Sequence, residues 1–327
     1  MVYGTTDDFL YIATGKGLGI DGRETYYNDL WRFDFERKSW EQVSTSKNPS
    51  PRYSAFGGVR EFYFFLSHGT NDEEQYSNTF TFDVDRPSRG WTEIHLGISK
   101  YDPKQPHARQ QSTGTILSDD KVLMFGGCLS GLGSGGPCPS DDSWTYTAVK
   151  GWSQLNRCSS PKISSAMARL PKGNASYERV ILWGGNADSR TTLKLDDNRE
   201  DEILVFDENE NEWKIKKTQA RIAFPSQRVG HVMVTTTDGV VMFGGEELSS
   251  GQYLSDIWLL RGRSIDAERS RDGRDCGRQY FNLIMLHGVF MFIGFAVFSN
   301  MAIFVARCFR FLQPLWLKMH IILHVGI

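Results

Sequence analysis

Five apolar runs recur along the chain, each closing on a pair of small residues: FLYIATG, FYFFLSHG, VLMFGG, VILWGG and VVMFGG. The second member of each pair is Gly15, Gly69, Gly127, Gly185 and Gly245, at spacings of 54, 58, 58 and 60 residues. The runs are the length of a buried strand and too short for a core helix. A tryptophan follows each of the first four pairs, at Trp40, Trp91, Trp152 and Trp213, and an aromatic precedes it at Phe33, Phe82, Tyr146 and Phe206. A polar turn leads into that aromatic strand, as in NDLW, DDSW and SDIW. Turn dipeptides flank the runs, among them Gly173–Asn174 and Asp238–Gly239, which accept the positive φ of a tight hairpin. The pattern predicts an all-β fold of repeated four-stranded antiparallel units, arranged radially as propeller blades. Each Gly pair ends a strand where a Cβ would obstruct the backbone, and each tryptophan packs one sheet on the next.

The Gly-Gly pair at Gly126–Gly127, Gly184–Gly185 and Gly244–Gly245, followed by an aromatic and then a tryptophan, resembles the kelch repeat, whose period is about 50 residues. PSQRVGH at 225–231 and PRYSA at 51–55 match the segment that precedes the inner strand in such repeats. The resemblance covers residues 8–262 and implies a kelch-type β-propeller of about five blades, a scaffold that binds a protein or glycan on its loops. The first repeat has Thr14 and the second His68 where the others carry the first Gly of the pair. The first repeat lacks a leading strand and the fifth ends without its tryptophan strand, which leads us to expect further sequence upstream.

A different pattern begins after residue 262. A charged stretch, RSIDAERSRDGRDCGRQ (263–279), is read as a linker between the propeller and the C-terminal region, residues 280–327. From Phe281 to Ala306 there is no Asp, Glu, Lys or Arg, and 26 residues of helix would extend about 39 Å, enough to cross a bilayer. This predicts a C-terminal α-helical transmembrane segment contacting membrane lipid, and a second, partial one from Leu315. LHGVFMFIGF, ARCFR and LWLKMH resemble the opening of the cytochrome b561 family. That resemblance implies haem b, with His287 and His320 each giving one axial ligand to a different haem iron, in a transmembrane electron-transfer module that is incomplete in this chain. The complete family domain would be an oxidoreductase, and this chain alone is expected to be inactive. The alternative is a non-enzymatic kelch interaction protein with a plain anchor.

Composition narrows the rest. The net charge is −2, yet the first 279 residues hold all 39 acidic residues and all but three of the 37 basic ones. A mildly acidic body excludes a nucleic-acid binder, which needs a basic stripe. A copper radical oxidase resemblance, known for some kelch propellers, finds no matching cysteine or histidine motif. Cys128 and Cys138 bracket a Gly-rich insertion that a disulfide would staple, leaving one body cysteine over. Asn174-Ala-Ser is an N-glycosylation sequon. Together they point to an extracellular or lumenal propeller, although the arginines before the apolar stretch favour the opposite orientation.

Overall fold

The computed structural model describes residues 1–95, 102, 104–118, 121–131, 135–158, 160–171, 178–187, 202–218, 223–261, 274–275, 283–308 and 318. The chain forms two compact units, Met1–Gly277 and Arg278–Ile327.

The first unit is a succession of antiparallel meanders, each in the strand order of the sequence. Blade 1 is β1 (Val2–Thr5), β2 (Phe9–Leu18), β3 (Glu24–Asp34) and β4 (Ser39–Gln42). Blade 2 is β5 (Phe56–Arg60), β6 (Tyr63–Ser67), β7 (Thr79–Asp83) and β8 (Trp91–His95). Blade 3 is β9 (Thr113–Ser118), β10 (Lys121–Phe125), β11 (Ser143–Thr147) and β12 (Gly151–Gln154). Blade 4 is β13 (Ala166–Arg169), β14 (Arg179–Trp183), β15 (Glu202–Asp207) and β16 (Glu212–Lys217). A short ladder of β17 (Arg228–Val229) and β20 (Glu246–Glu247) flanks blade 5, which has three strands among the described residues: β18 (Val232–Thr236), β19 (Gly239–Phe243) and β21 (Ile257–Arg261). Blade 1 therefore has the leading strand that the sequence reading denied it: Val2–Thr5 pairs with Leu10–Ala13. The stretch read as a linker also contributes. β22 (Arg274–Asp275) pairs with Lys214 and Ile215 and adds a fifth strand to blade 4.

The inner strands β1, β5, β9, β13 and β18 lie side by side in that order. At one end, Arg60 of blade 2 meets Glu178 of blade 4 at 2.9 Å. Blades pack face to face through four separate apolar cores. Blades 1 and 2 share Tyr11, Leu30, Phe64 and Phe82. Blades 2 and 3 share Phe56, Phe65, Met124 and Trp144. Blades 3 and 4 share Leu123, Phe125, Leu182 and Phe206, and blades 4 and 5 share Ile181, Trp183, Met242 and Trp258 at its margin. Alternation along each strand sends one set of side chains to each face, so a blade with two neighbours is apolar on both.

The small-residue pairs follow the second strand of blades 2 to 5 and fall within the longer β2 of blade 1, at a register shift between Ala13 and Gly15, and their backbone angles explain which substitutions the pair tolerates. The first position has φ of +59° at Thr14, +58° at His68 and +64° to +67° at Gly126, Gly184 and Gly244. This is the left-handed helical region, which other residues enter at a cost of roughly 1–2 kcal/mol. The second position has φ from +84° to +133°, where a side chain is more strained, and all five are Gly.

The second unit is helical but broken. α1 (Leu283–Phe292) and α2 (Ser299–Cys308) are ten residues each, separated by a π-helical segment, Ile293–Phe298. Ten residues rise about 15 Å, half of a hydrocarbon core of roughly 30 Å. Among the described residues no helix is long and apolar enough to cross a membrane. This corrects the expected C-terminal transmembrane segment and the membrane localisation built on it. The apolar run read as one continuous span is divided by π geometry, and the Asn300 side chain donates to the Ala296 carbonyl at 2.7 Å where the helix resumes.

Candidate functional site

The loops that carry the Gly pairs are held by a device repeated from blade to blade. The segment before each inner strand contributes a buried cation: Arg52, Arg109, Lys162 and Arg228. The three arginines use the same geometry. Nε donates to the carbonyl two residues back, and Nη1 donates to the carbonyl of the first residue of the blade's own Gly pair: His68 at 3.0 Å, Gly126 at 2.9 Å and Gly244 at 3.1 Å. The guanidinium also reaches the polar turn before the third strand. Arg109 is bidentate on Asp142 at 2.6 and 2.9 Å, and Arg228 is bidentate on Asp256. Arg52 meets the neutral Asn78 at 2.8 Å and stacks on Tyr76. The same two aspartates, and Asp29 at the corresponding place in blade 1, accept from an indole two residues on: Asp29 from Trp31, Asp142 from Trp144 and Asp256 from Trp258. Finally, the backbone carbonyl of each cation accepts from the second Gly of the preceding blade. These bonds run from Gly15 to Arg52, Gly69 to Arg109, Gly127 to Lys162 and Gly185 to Arg228, at 2.8–3.0 Å. One side chain thus ties its own blade together while its main chain ties it to the blade before.

Electrostatics follow the burial. Burial alone would raise the Asp142 carboxyl, but the Arg109 charge and hydrogen bonds from Arg109, Ser140 and Trp144 outweigh it and hold it at about 2. The hydrogen bond from Arg228, with that from Trp258, holds Asp256 at about 2. Burial lowers Arg52, whose side-chain partner is the neutral Asn78, to about 10, against the opposing charges of Glu74 and Glu93. Burial and then the Arg228 charge push His231, edge-on to Trp183, down to about 4, and His68 is pushed well below its ordinary value by burial first. The sign is that of groups whose native form is harder to protonate than the unfolded one. The histidines' contribution is complete above their ordinary value of 6.5 and fades as pH falls through His231's own. The aspartates' contribution fades only between their ordinary 3.8 and about 2. Thermal melting between pH 7 and 2 should therefore show a first decline beginning below about pH 6.5, and His231→Gln should reduce it; a melting temperature flat down to pH 4 would contradict this.

The four landmark tryptophans do not share one environment. Trp91, Trp152 and Trp213 are 1%, 7% and 4% exposed, each packed towards the preceding blade, whereas Trp40 is 47% exposed. This departs from the expectation that all four are sandwiched, and the reason is positional. Among the described residues no preceding blade packs a core on that face of blade 1. Strand register puts Tyr3, Leu10, Ile12, Trp31, Phe33 and Trp40 there together, and none joins any of the four cores. Blade 5 is the mirror case. Val232, Val234, Val241, Phe243, Ile257 and Leu259 align across three strands on the face turned away from blade 4. Ile257 is 70% exposed, with Phe243, Leu259 and Val234 also exposed. The Tyr3 hydroxyl meets the Met233 backbone, so blades 1 and 5 touch at their inner strands while their outer faces stay open. Six aligned apolar positions on each of two faces are what an interaction site looks like on a folded surface.

Elsewhere, Cys128 and Cys138 are disulfide-bonded across the loop between β10 and β11. Cys158, read as left over, is disulfide-bonded as well. Asn174 and His320 lie outside the described residues. His287 is exposed on α1. Among the described residues no group of three or more His, Cys, Asp or Glu is placed to hold a metal ion, and nothing in the fold supports a cytochrome b561 module.

No family model matches the chain. It is 23% identical over 254 residues to Kelch-like protein 15 of Homo sapiens, covering 77% of this chain and 39% of that protein. It is 24% identical over 241 residues to the Leucine-zipper-like transcriptional regulator 1 homolog of Drosophila melanogaster, covering 70% and 22%. It is 30% identical over 92 residues to Tip elongation aberrant protein 3 of Schizosaccharomyces pombe, covering 28% and 8%. The chain thus spans well under half the length of these relatives. Repeat, sheets and relatives agree that the body of the chain is a kelch-type β-propeller, the architecture of a protein-interaction module.

Proposed function

We propose that the propeller binds its protein partner through the open faces of blades 1 and 5. The supporting observation is that both faces carry an aligned apolar set like those in the four inter-blade cores, with Trp31 and Trp40 exposed on one and Val234, Phe243, Ile257 and Leu259 exposed on the other among the described residues. Burial of such a surface stabilises association by roughly 25 cal/mol per Å² before the costs of binding. A partner presenting a β-sheet with apolar side chains on both faces would meet blade 5 on one side and Trp40 and Trp31 on the other. The aromatic residues of blade 1 are the anchors, since tryptophan and tyrosine dominate interface energetics.

The test is affinity capture with the full chain and two variants. Trp40→Glu combined with Phe243→Glu alters both open faces at exposed positions. Lys150→Glu alters an exposed turn between β11 and β12. The double variant should lose about tenfold or more of the retained partner, and Lys150→Glu should retain it. Equal retention by all three proteins would remove the open faces from consideration.

A further inference from the structure

On the loop end of blades 1 and 2, four side chains from three segments meet. Lys16 and Tyr26 are cross-strand neighbours where β2 and β3 extend past the blade as a hairpin. Tyr53 comes from the segment before β5 and is fixed by an antiparallel bridge to Thr70. Asp72 sits at the tip of the loop after β6, in a turn held by Asn71, whose Oδ1 accepts from the Glu73 and Glu74 amides at 3.0 and 2.7 Å. The Tyr26 and Tyr53 rings stack at 5.6 Å and 14°. Both hydroxyls donate to Asp72, Tyr26 to one carboxylate oxygen and Tyr53 to the other at 3.3 Å.

Something already occupies this assembly. The Lys16 ammonium lies 5.7 Å from the Tyr26 ring centre and 5.3 Å from that of Tyr53, and pairs with Glu24 at 2.8 Å. Two tyrosine rings, a carboxylate bound to both hydroxyls and a further carboxylate alongside are the groups that hold a cation by ring quadrupole and charge together. Glu73 and Glu74 add negative charge on the same loop, so an anion is repelled here. Lys16 is tethered on an exposed hairpin and can swing away.

We propose that the Tyr26–Tyr53–Asp72 assembly is a recognition site for a basic side chain of a docked polypeptide, with Lys16 as its internal stand-in. An incoming lysine displaces the Lys16 ammonium into solvent, takes its place beside the two rings, and gains Glu24 as its counter-charge. The Lys16–Glu24 ion pair is exchanged for one with the incoming lysine, and no covalent bond is made or broken. The site lies on the loop end and is independent of the open blade faces, so either reading can fail without the other.

The probe is the peptide acetyl-Gly-Lys-Gly-amide, titrated into the full chain, with its norleucine counterpart as the uncharged control. NMR reads the ring-current shift of the probe's terminal methylene. The lysine peptide should shift upfield and the norleucine peptide should not. Lys16→Met vacates the site, and affinity for the lysine peptide should rise about fivefold. Asp72→Asn, at an exposed loop tip, should weaken it, Tyr53→Ala should abolish the shift, and Tyr53→Phe, which keeps the ring, should retain it. Equal binding of the two peptides, or no gain in Lys16→Met, would overturn the proposal.

Discussion

Arg109→Met should destabilise the propeller by about 3–5 kcal/mol, because it leaves the buried Asp142 carboxylate without its counter-charge. Arg109 is fully buried and bonds four acceptors: the His107 and Gly126 carbonyls and both oxygens of Asp142. Without it Asp142 keeps the Ser140 hydroxyl and the Trp144 indole, which satisfy hydrogen bonding but not charge. Blade 2 shows that a neutral amide fits the acceptor position, where Asn78 accepts from Arg52. Arg109→Met with Asp142→Asn removes the stranded charge and keeps the indole bond, so the double variant should recover part of the loss. Chemical denaturation at neutral pH measures both. A single variant within about 1 kcal/mol of the parent, or a double variant as unstable as the single, would show that the pair does not carry this load. Breaking the equivalent pair at Arg228 should cost less, since Asp256 is 39% exposed on its side chain and water can replace part of the lost contact.

Trp213→Ala should cost about 3–5 kcal/mol, the range for a large aromatic removed from a packed core. The ring packs on Phe125 at 5.0 Å and Phe206 at 5.3 Å, and its indole donates to the Ser143 hydroxyl at 3.1 Å across the interface between blades 3 and 4. Trp40→Ala, at the same place in the repeat, should cost under about 1 kcal/mol, because Trp40 is 47% exposed and belongs to none of the four cores among the described residues. The comparison isolates the neighbour from the residue. Equal losses at both positions would mean that Trp40 is packed in solution and the face of blade 1 is not open.

The blade plan was legible because a strand's period of two and the Gly pair both leave marks in one dimension. The φ angles at the second Gly admit little else, so five glycines at regular spacing stand out even where Thr14 and His68 replace the first. The interfaces were not legible in the same way. Trp40 and Trp213 occupy equivalent places in the pattern, and only the arrangement of sheets shows that one has a neighbour and the other does not. The cation site was hidden because Lys16, Tyr26, Tyr53 and Asp72 come from three loops with no shared spacing. The buried arginines left a trace in PRYSA and PSQRVGH, and the Pro-x-x-Arg spacing recurs at Pro106–Arg109, but there Gln111 and Ser112 stand where Gly230 and His231 follow Arg228 and the echo fades. The C-terminal apolar run misled because length and hydropathy do not report a π-helical interruption.

Because the four packed cores each join blades adjacent in sequence, while blades 1 and 5 meet through Tyr3 and Met233, the propeller behaves more like a short linear chain of units than an evenly sealed hoop. Its stability is then approximately the sum of five unit terms and four coupling terms. A central blade is held by two couplings and a terminal blade by one. Opening therefore begins at the ends: blade 1 and blade 5 can detach singly, while blade 3 is released only after two interfaces fail. Folding has the complementary freedom. Any adjacent pair of meanders can start it, and growth from that pair adds one neighbouring interface at a time, the contacts of Tyr3 with Met233 and of Arg60 with Glu178 being exceptions that join blades distant in sequence.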